Sequence, residues 1–311
     1  MDLLRIILPV IIMLMIGMLC REKNLISLEG IQGLQALVMN FTLPVSLFAN
    51  FYTSELQLQT MIFPVILFAL SGGGLFLGKA ICRITRQKDP YLPFYLTGYE
   101  AGMLGFALLG LLMGSDQLGT FAVMDIGQEI AIFTIYIAML KGTGGQKQSL
   151  GEAVKGMLTT PVLVAVLLGL AFTLTGLGPA IQATSFGPVL SELCSFIGTP
   201  TSAVILVVIG YRMNLRELNL AKTGKAILLR ILQQAILAAA VFGIFFLLGG
   251  DFTSKLTLIS AAVFFILPSP FIIPLYQKGE KEKEFYSAAL SAYTILTILM
   301  FLGLAVVTSM S

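Results

Sequence analysis

Apolar segments of about 20 residues alternate with short polar stretches along the chain. A helix that crosses the hydrocarbon core of a bilayer needs about 20 mostly apolar residues. The pattern therefore predicts an all-α polytopic membrane protein. We predict ten transmembrane helices, near residues 3–20, 28–50, 58–82, 92–113, 117–140, 157–176, 188–211, 226–248, 256–277 and 285–308. No polar stretch between them is long enough to form a separate soluble domain.

Composition supports this interpretation and narrows the chemistry. Of the 311 residues, 57% are hydrophobic and 11% are charged, and the mean hydropathy is +0.94, whereas a soluble domain has about 25% charged residues. A soluble enzyme and a nucleic-acid-binding protein are therefore excluded, and the lipid bilayer is an expected partner. The chain contains no His, which excludes a Ser-His-Asp triad and an HExxH zinc site. We expect no catalytic residue, no metal and no cofactor.

The distribution of positive charge predicts the orientation. All but four of the 19 Lys and Arg residues lie in loops that follow odd-numbered spans, the four being Arg5, Lys79, Arg230 and Lys255. Because cytoplasmic loops are rich in Lys and Arg, we predict that these loops are cytoplasmic and that both termini lie outside the cytoplasm. The predicted location is a bacterial inner membrane. Lys79 and Arg230 lie near predicted span ends, where long basic side chains are expected to reach water.

The ten spans divide into two halves. Residues 1–140 form a first five-helix repeat, residues 141–155 a flexible cytoplasmic linker, and residues 156–311 a second repeat. A Pro flanked by hydroxyl residues interrupts the second span of each half, at Pro44 and at Pro200. Because five is an odd number, the two halves have opposite orientations. Inverted repeats with interrupted helices in matching positions are typical of secondary transporters.

The fourth span of each half is also predicted to be broken. Span 4 carries Gly98, Gly102 and Gly105, and span 9 carries a group of prolines that begins at Pro268. Each break leaves backbone amides and carbonyls without helical partners, which is tolerated in a membrane only where they line a cavity or meet a ligand. We expect spans 4 and 9 to cross at mid-membrane.

Four motifs resemble those of the auxin efflux carrier family in its short bacterial form. They are NFTLPVSLF in span 2, EAGMLGFALLG in span 4, IGTPTSAVILVVIG in span 7 and LPSPFIIP in span 9. The resemblance implies two inverted repeats that both contribute to a scaffold domain and a transport domain, and a distant similarity to bile-acid sodium symporters and sodium–proton antiporters. It also implies small organic anions as substrates. The chain has Glu100 and Ile272 at two positions where relatives commonly have Asn.

Four acidic residues fall well inside predicted spans. Glu192 lies near the outer end of span 7 and is interpreted as an interfacial residue, and the other three are candidate coupling residues. Glu100 lies in span 4, and Asp125 and Glu129 are four residues apart, on one face of span 5. A charge at mid-bilayer costs about 2.5–3.5 kcal/mol on insertion scales, so each acid needs a partner, a proton or a cation. No Lys or Arg is an evident partner. We predict that these acids are the coupling residues, with H⁺ or Na⁺ as the coupling ion; the alternative is that they pair with polar groups in helix packing.

These features predict a substrate cavity beside the crossing of spans 4 and 9. The predicted substrate-binding residues are Asn40, Pro44, Glu100, Gly102, Gly105, Pro200, Thr201, Pro268, Ser269 and Ile272. The resulting hypothesis is a secondary active transporter that moves a small organic anion by an elevator-like, proton-coupled mechanism. The alternatives are a sodium-coupled carrier, a carrier of a cation or neutral solute, and a membrane receptor that does not transport. A homodimer is left open.

Overall fold

The computed structural model describes residues 2–52, 61–145, 149–213, 220–277 and 279–310. Within these ranges the chain is helical and contains no strand. The α-helices are α1 (Asp2–Glu22), α2 (Leu28–Leu37), α3 (Leu43–Tyr52), α4 (Phe63–Ile84), α5 (Leu92–Leu96), α6 (Phe106–Met113), α7 (Gly119–Ala131), α8 (Ile137–Thr143), α9 (Leu150–Leu158), α10 (Pro161–Leu174), α11 (Leu177–Gln182), α12 (Phe186–Gly198), α13 (Thr201–Arg212), α14 (Leu220–Leu248), α15 (Lys255–Ile266) and α16 (Glu280–Met310). Single π-helical turns occupy Val38–Thr42, Ala101–Gly105 and Ile132–Tyr136, and 3₁₀ turns occupy Ser115–Gln117, Gly250–Thr253 and Ile273–Tyr276.

The all-helical membrane fold predicted from the sequence is confirmed. Seven helical segments of the described chain are long and apolar enough to span a bilayer, or eight if the pair α9–α10, bent by 72°, counts as one span. The seven are Leu28–Asn50, Phe63–Ile84, Leu92–Met113, Gly119–Thr143, Phe186–Arg212, Leu220–Leu248 and Lys281–Ser309. The apolar helix α15 has 12 residues, or about 18 Å, which is shorter than the hydrocarbon core of about 30 Å. The count of ten spans stays a prediction.

Part of the predicted chain lies outside the described residues. Residues 58–60, the first of predicted span 3, belong to this part. So do three basic residues of the predicted cytoplasmic loops, Lys147, Arg216 and Lys278. Within the linker predicted at 141–155, α8 continues to Thr143 and α9 begins at Leu150. The side chains of Ser149 and Glu152 form a reciprocal capping box that starts α9.

Glycine allows α1 and α13 to approach until their backbones touch. The most extensive contacts are those of α1 with α13, of α10 with α3 and of α4 with α7. Gly17 of α1 lies against the Val207 carbonyl, and Gly210 of α13 lies against the Leu14 carbonyl, with no room for a Cβ atom at either position. Small residues of this kind allow close packing where the lipid provides no hydrophobic drive between helices.

The described helices form two groups with dense internal contacts. The first helix group consists of α1, α2–α3, α10 and α12–α13, and the second of α4, α5–α6, α7–α8, α14, α15 and α16. The two groups meet mainly where α6 packs on α13 and α1 packs on α16. Most of the buried polar side chains lie in the second group, including Thr97, Gln128, Arg230, Gln233 and Gln234. This group therefore contains the polar interior in which a functional site is expected.

Candidate functional site

Two non-helical segments face each other inside the second helix group. Residues 97–100 separate α5 from the helical segment that begins at Ala101, and residues 267–270 follow α15. Gly98 has a φ of +75°, and a Cβ atom on it would lie 3.0 Å from Pro270 Cδ. A side chain is therefore disfavoured at Gly98 both by backbone conformation and by the neighbouring segment. We call residues 97–100 and 267–271 together the crossing.

Glu100 joins the two segments with both its backbone and its side chain. Its amide donates to the Pro268 carbonyl at 2.9 Å. Its Oε2 accepts a hydrogen bond of 2.7 Å from the Phe271 amide. The side chain is half-buried. The Glu100 carboxylate is thus held by a backbone amide of the opposite segment, a donor that suits an anion.

Arg230 also joins the two segments, through hydrogen bonds to their carbonyls. Its Nη1 donates to the Tyr95 carbonyl at 2.7 Å, and its Nη2 donates to the carbonyls of Gly98 and Leu267 at 2.8 Å each. The Tyr293 ring covers the guanidinium, with the ring centroid 4.9 Å from Arg230 Cζ. The side chain is 0% exposed.

The prediction that Arg230 reaches water at a span end is therefore wrong. Helix α14 begins at Leu220, six residues before the predicted start of span 8. Arg230 lies ten residues into this helix, about 15 Å from its first residue. Lys222 and Lys225, which were assigned to a loop, belong to the first turns of α14.

Other side chains bond to four further carbonyls around the breaks. These bonds run from the Tyr136 hydroxyl to Phe94 O (2.9 Å), from Gln234 Nε2 to Leu96 O (2.8 Å), from Gln128 Nε2 to Tyr99 O (3.0 Å) and from the Thr297 hydroxyl to Ile266 O (2.6 Å). Unpaired backbone groups are costly in a bilayer, so these bonds make the interruption of both helices tolerable. Sequence reasoning missed these donors, although polar residues within an apolar span are a usable signal.

Gln128 links Asp125 of α7 to the segment that carries Glu100. Asp125 is 3% exposed, and its Oδ1 accepts a hydrogen bond of 3.0 Å from Gln128 Nε2. Gln128 Nε2 also donates to the Tyr99 carbonyl, which precedes Glu100 in the chain. The structure thus groups Glu100 with the acids of α7.

The predicted substrate-binding residues fall into two places and not one. Pro268 and Ser269 are buried in the crossing with Glu100, Ile272 follows it, and Gly105 packs against Leu267. Gly102 lies beside Met39. The Thr201 hydroxyl donates a hydrogen bond of 2.8 Å to the Thr42 hydroxyl where α13 meets the turn before Pro44. Asn40 and Pro200 are exposed.

Two cavities adjoin these elements. A narrow gap with no room for a water molecule reaches Met39 and Met103. A polar cavity of about 170 Å³ lies between α3, α12 and the 3₁₀ turn after α6. Its walls carry the polar residues Ser46, Asn50, Ser115, Asp116, Ser191, Ser195 and Thr199. Neither cavity is lined by Glu100.

A helical membrane protein with charged side chains buried at interrupted helices is typical of a transporter. A family model described as "Membrane transport protein" matches residues 3–306. The chain belongs to this family, the auxin efflux carrier family, which confirms the resemblance found in its motifs. No curated protein matches the chain.

Proposed function

We propose that the protein is a secondary active transporter that carries a small organic anion together with a proton. Family membership supports membrane transport of a small molecule. The observation that carries the finer proposal is the hydrogen bond from the Phe271 amide to Glu100 Oε2. It means that an ionisable side chain of the protein occupies amides that would otherwise suit an anionic ligand.

In the proposed mechanism the substrate and the ionised Glu100 compete for the same amides. Protonation removes the charge of Glu100 and weakens its hold on the Phe271 amide. A substrate carboxylate then binds there beside the neutral side chain. Two carboxylates about 4 Å apart would repel by about 4 kcal/mol at an effective dielectric constant of about 20, so the proton and the anion bind together.

The proposed substrate class is a monocarboxylate or dicarboxylate with an apolar body. The amides beside Glu100 would hold the carboxylate, and the half-exposed side chains of Phe271 and Ile272 would contact the apolar part. The other predicted substrate-binding residues remain part of this proposal. Asp125 and Glu129 are the proposed alternative carriers of the proton, because both are acids of the adjacent α7 and Asp125 is linked through Gln128 to the segment of Glu100.

The packing of the helices supports the proposed inverted repeats. In the ten-span numbering, span 1 packs on span 7 through α1 and α13, and span 6 packs on span 2 through α10 and α3. Exchange of the repeats 1–140 and 156–311 converts the first pair into the second. We assign the first helix group to the scaffold domain and the second to the transport domain, which would move with the crossing in an elevator-like step. Both termini are proposed to lie outside.

Counterflow in proteoliposomes tests the carrier function. Vesicles are loaded with an unlabelled carboxylate, and entry of the same labelled carboxylate is followed over a panel of monocarboxylates and dicarboxylates. A carrier gives a transient accumulation of label for at least one compound. Binding without counterflow for any compound would favour the receptor, and uptake that requires Na⁺ at every pH would favour the sodium-coupled alternative.

A further inference from the structure

The carbonyl oxygens around Arg230 have the composition of a cation site. The Tyr95 oxygen lies in the last turn of α5, the Gly98 oxygen lies two residues after the end of that helix, and the Leu267 oxygen directly follows the end of α15. The last carbonyls of a helix have no intrahelical donor and carry partial negative charge. In secondary transporters, carbonyls at such interrupted helices coordinate the coupling cation.

The occupant of this site is a permanent cation. A guanidinium does not lose its proton in proteins and carries five N–H donors in a planar fork. Within the described parts of the chain, no carboxylate is close enough to Arg230 to form an ion pair. Its charge is therefore balanced by backbone carbonyls and by the face of the Tyr293 ring. A buried charge without an acidic partner is costly unless its surroundings act as ligands.

We propose that the Arg230 guanidinium is a tethered cation that fills a carbonyl site at the crossing and makes the protein independent of Na⁺. A free Na⁺ ion would have to displace a guanidinium held by three hydrogen bonds of 2.7–2.8 Å. The role of this site in coupling rests on the proposed carrier function. Its occupation by Arg230 does not, and can be tested without transport.

The first test is thermal unfolding of the purified wild-type protein in NaCl, KCl and choline chloride at equal ionic strength. A ligand that binds only the folded state raises the melting temperature. We expect the same melting temperature in all three salts, because the site is already filled. A rise specific to NaCl would overturn the proposal.

The second test empties the site. Arg230→Ala leaves the carbonyls with space beside them, whereas Arg230→Met fills that space with an apolar chain. Both variants should melt several degrees below wild type, and methylguanidinium should restore most of the loss in Arg230→Ala and none in Arg230→Met. Lys79→Ala, which removes an exposed basic side chain, is the control and should melt like wild type. Equal behaviour of the Ala and Met variants in methylguanidinium would overturn the proposal.

The outcomes separate this inference from the proposed function. If neither Arg230 variant folds, the salt series on the wild-type protein decides alone. Stabilisation specific to Na⁺ would refute the proposed tethered cation but would not bear on the proposed anion carrier. Suppose instead that counterflow fails for every carboxylate and that the melting temperature is equal in the three salts. This result would refute the proposed carrier function and support the proposed role of Arg230.

Discussion

Replacement of Glu100 by Gln should separate substrate binding from pH. The substitution keeps the shape of the side chain and an oxygen that can accept from the Phe271 amide, and it removes the charge. In the wild type, an ionised Glu100 about 4 Å from a bound carboxylate would cost about 4 kcal/mol at an effective dielectric constant of about 20. This free energy corresponds to a weakening of the affinity by about a thousandfold.

The assay is equilibrium binding of a labelled carboxylate, over a pH range in which the ligand itself stays ionised. The wild-type Kd should rise steeply as Glu100 ionises with increasing pH. Glu100→Gln should bind with a Kd close to the wild-type value at low pH and should show no such rise. Glu192→Gln makes the same chemical change at an exposed position of α12 and should keep the wild-type profile.

Two results would refute the reasoning. If Glu100→Gln retains the wild-type pH profile, the coupling role passes to Asp125 or Glu129. If the wild type binds the ionised ligand equally well at all pH values, no carboxylate of the protein competes with the substrate at the amides.

Three further predictions concern the framework. Gly210→Leu places a side chain against the Leu14 carbonyl and should destabilise the protein by about 1–3 kcal/mol. The measurements are the melting temperature and the yield of monodisperse protein, and normal stability would contradict the close packing of α1 on α13. Gly98→Ala should cost at least about 1–2 kcal/mol, because of its positive φ, whereas Gly303→Ala, with open space around it, should not lower the melting temperature. For topology, an impermeant thiol reagent applied to intact cells should label Thr184→Cys and leave Ser149→Cys unlabelled; the reverse result would invert the orientation.

Sequence reasoning located Glu100 because an acid inside a long apolar segment stands out whatever the fold. It failed for Arg230 for a specific reason. Lys222 and Lys225 suggested a loop, so the predicted span began six residues after Leu220, where α14 begins. The late start placed Arg230 near an end, although its true position in the helix is about 15 Å from the first residue.

The partners of Arg230 could not be predicted at all. They are backbone carbonyls, and a carbonyl oxygen leaves no mark in the sequence. The rotation of a helix about its axis is similarly hidden, which is why Asn40 lies exposed although Thr42, two residues later, is buried. The start of α9 could have been predicted from the sequence, because the spacing of Ser149 and Glu152 is that of a capping box.

The central claim is that one proton moves with each anion through Glu100. Its most direct test is a proton flux measurement in proteoliposomes that enclose a pH-sensitive dye, with the membrane potential clamped. An inward gradient of an ionised carboxylate should acidify the lumen, with one proton entering per substrate molecule, in wild type and in Glu192→Gln. Protein-free vesicles control for diffusion of the free acid. Accumulation of the carboxylate by wild-type protein without any acidification would contradict the account.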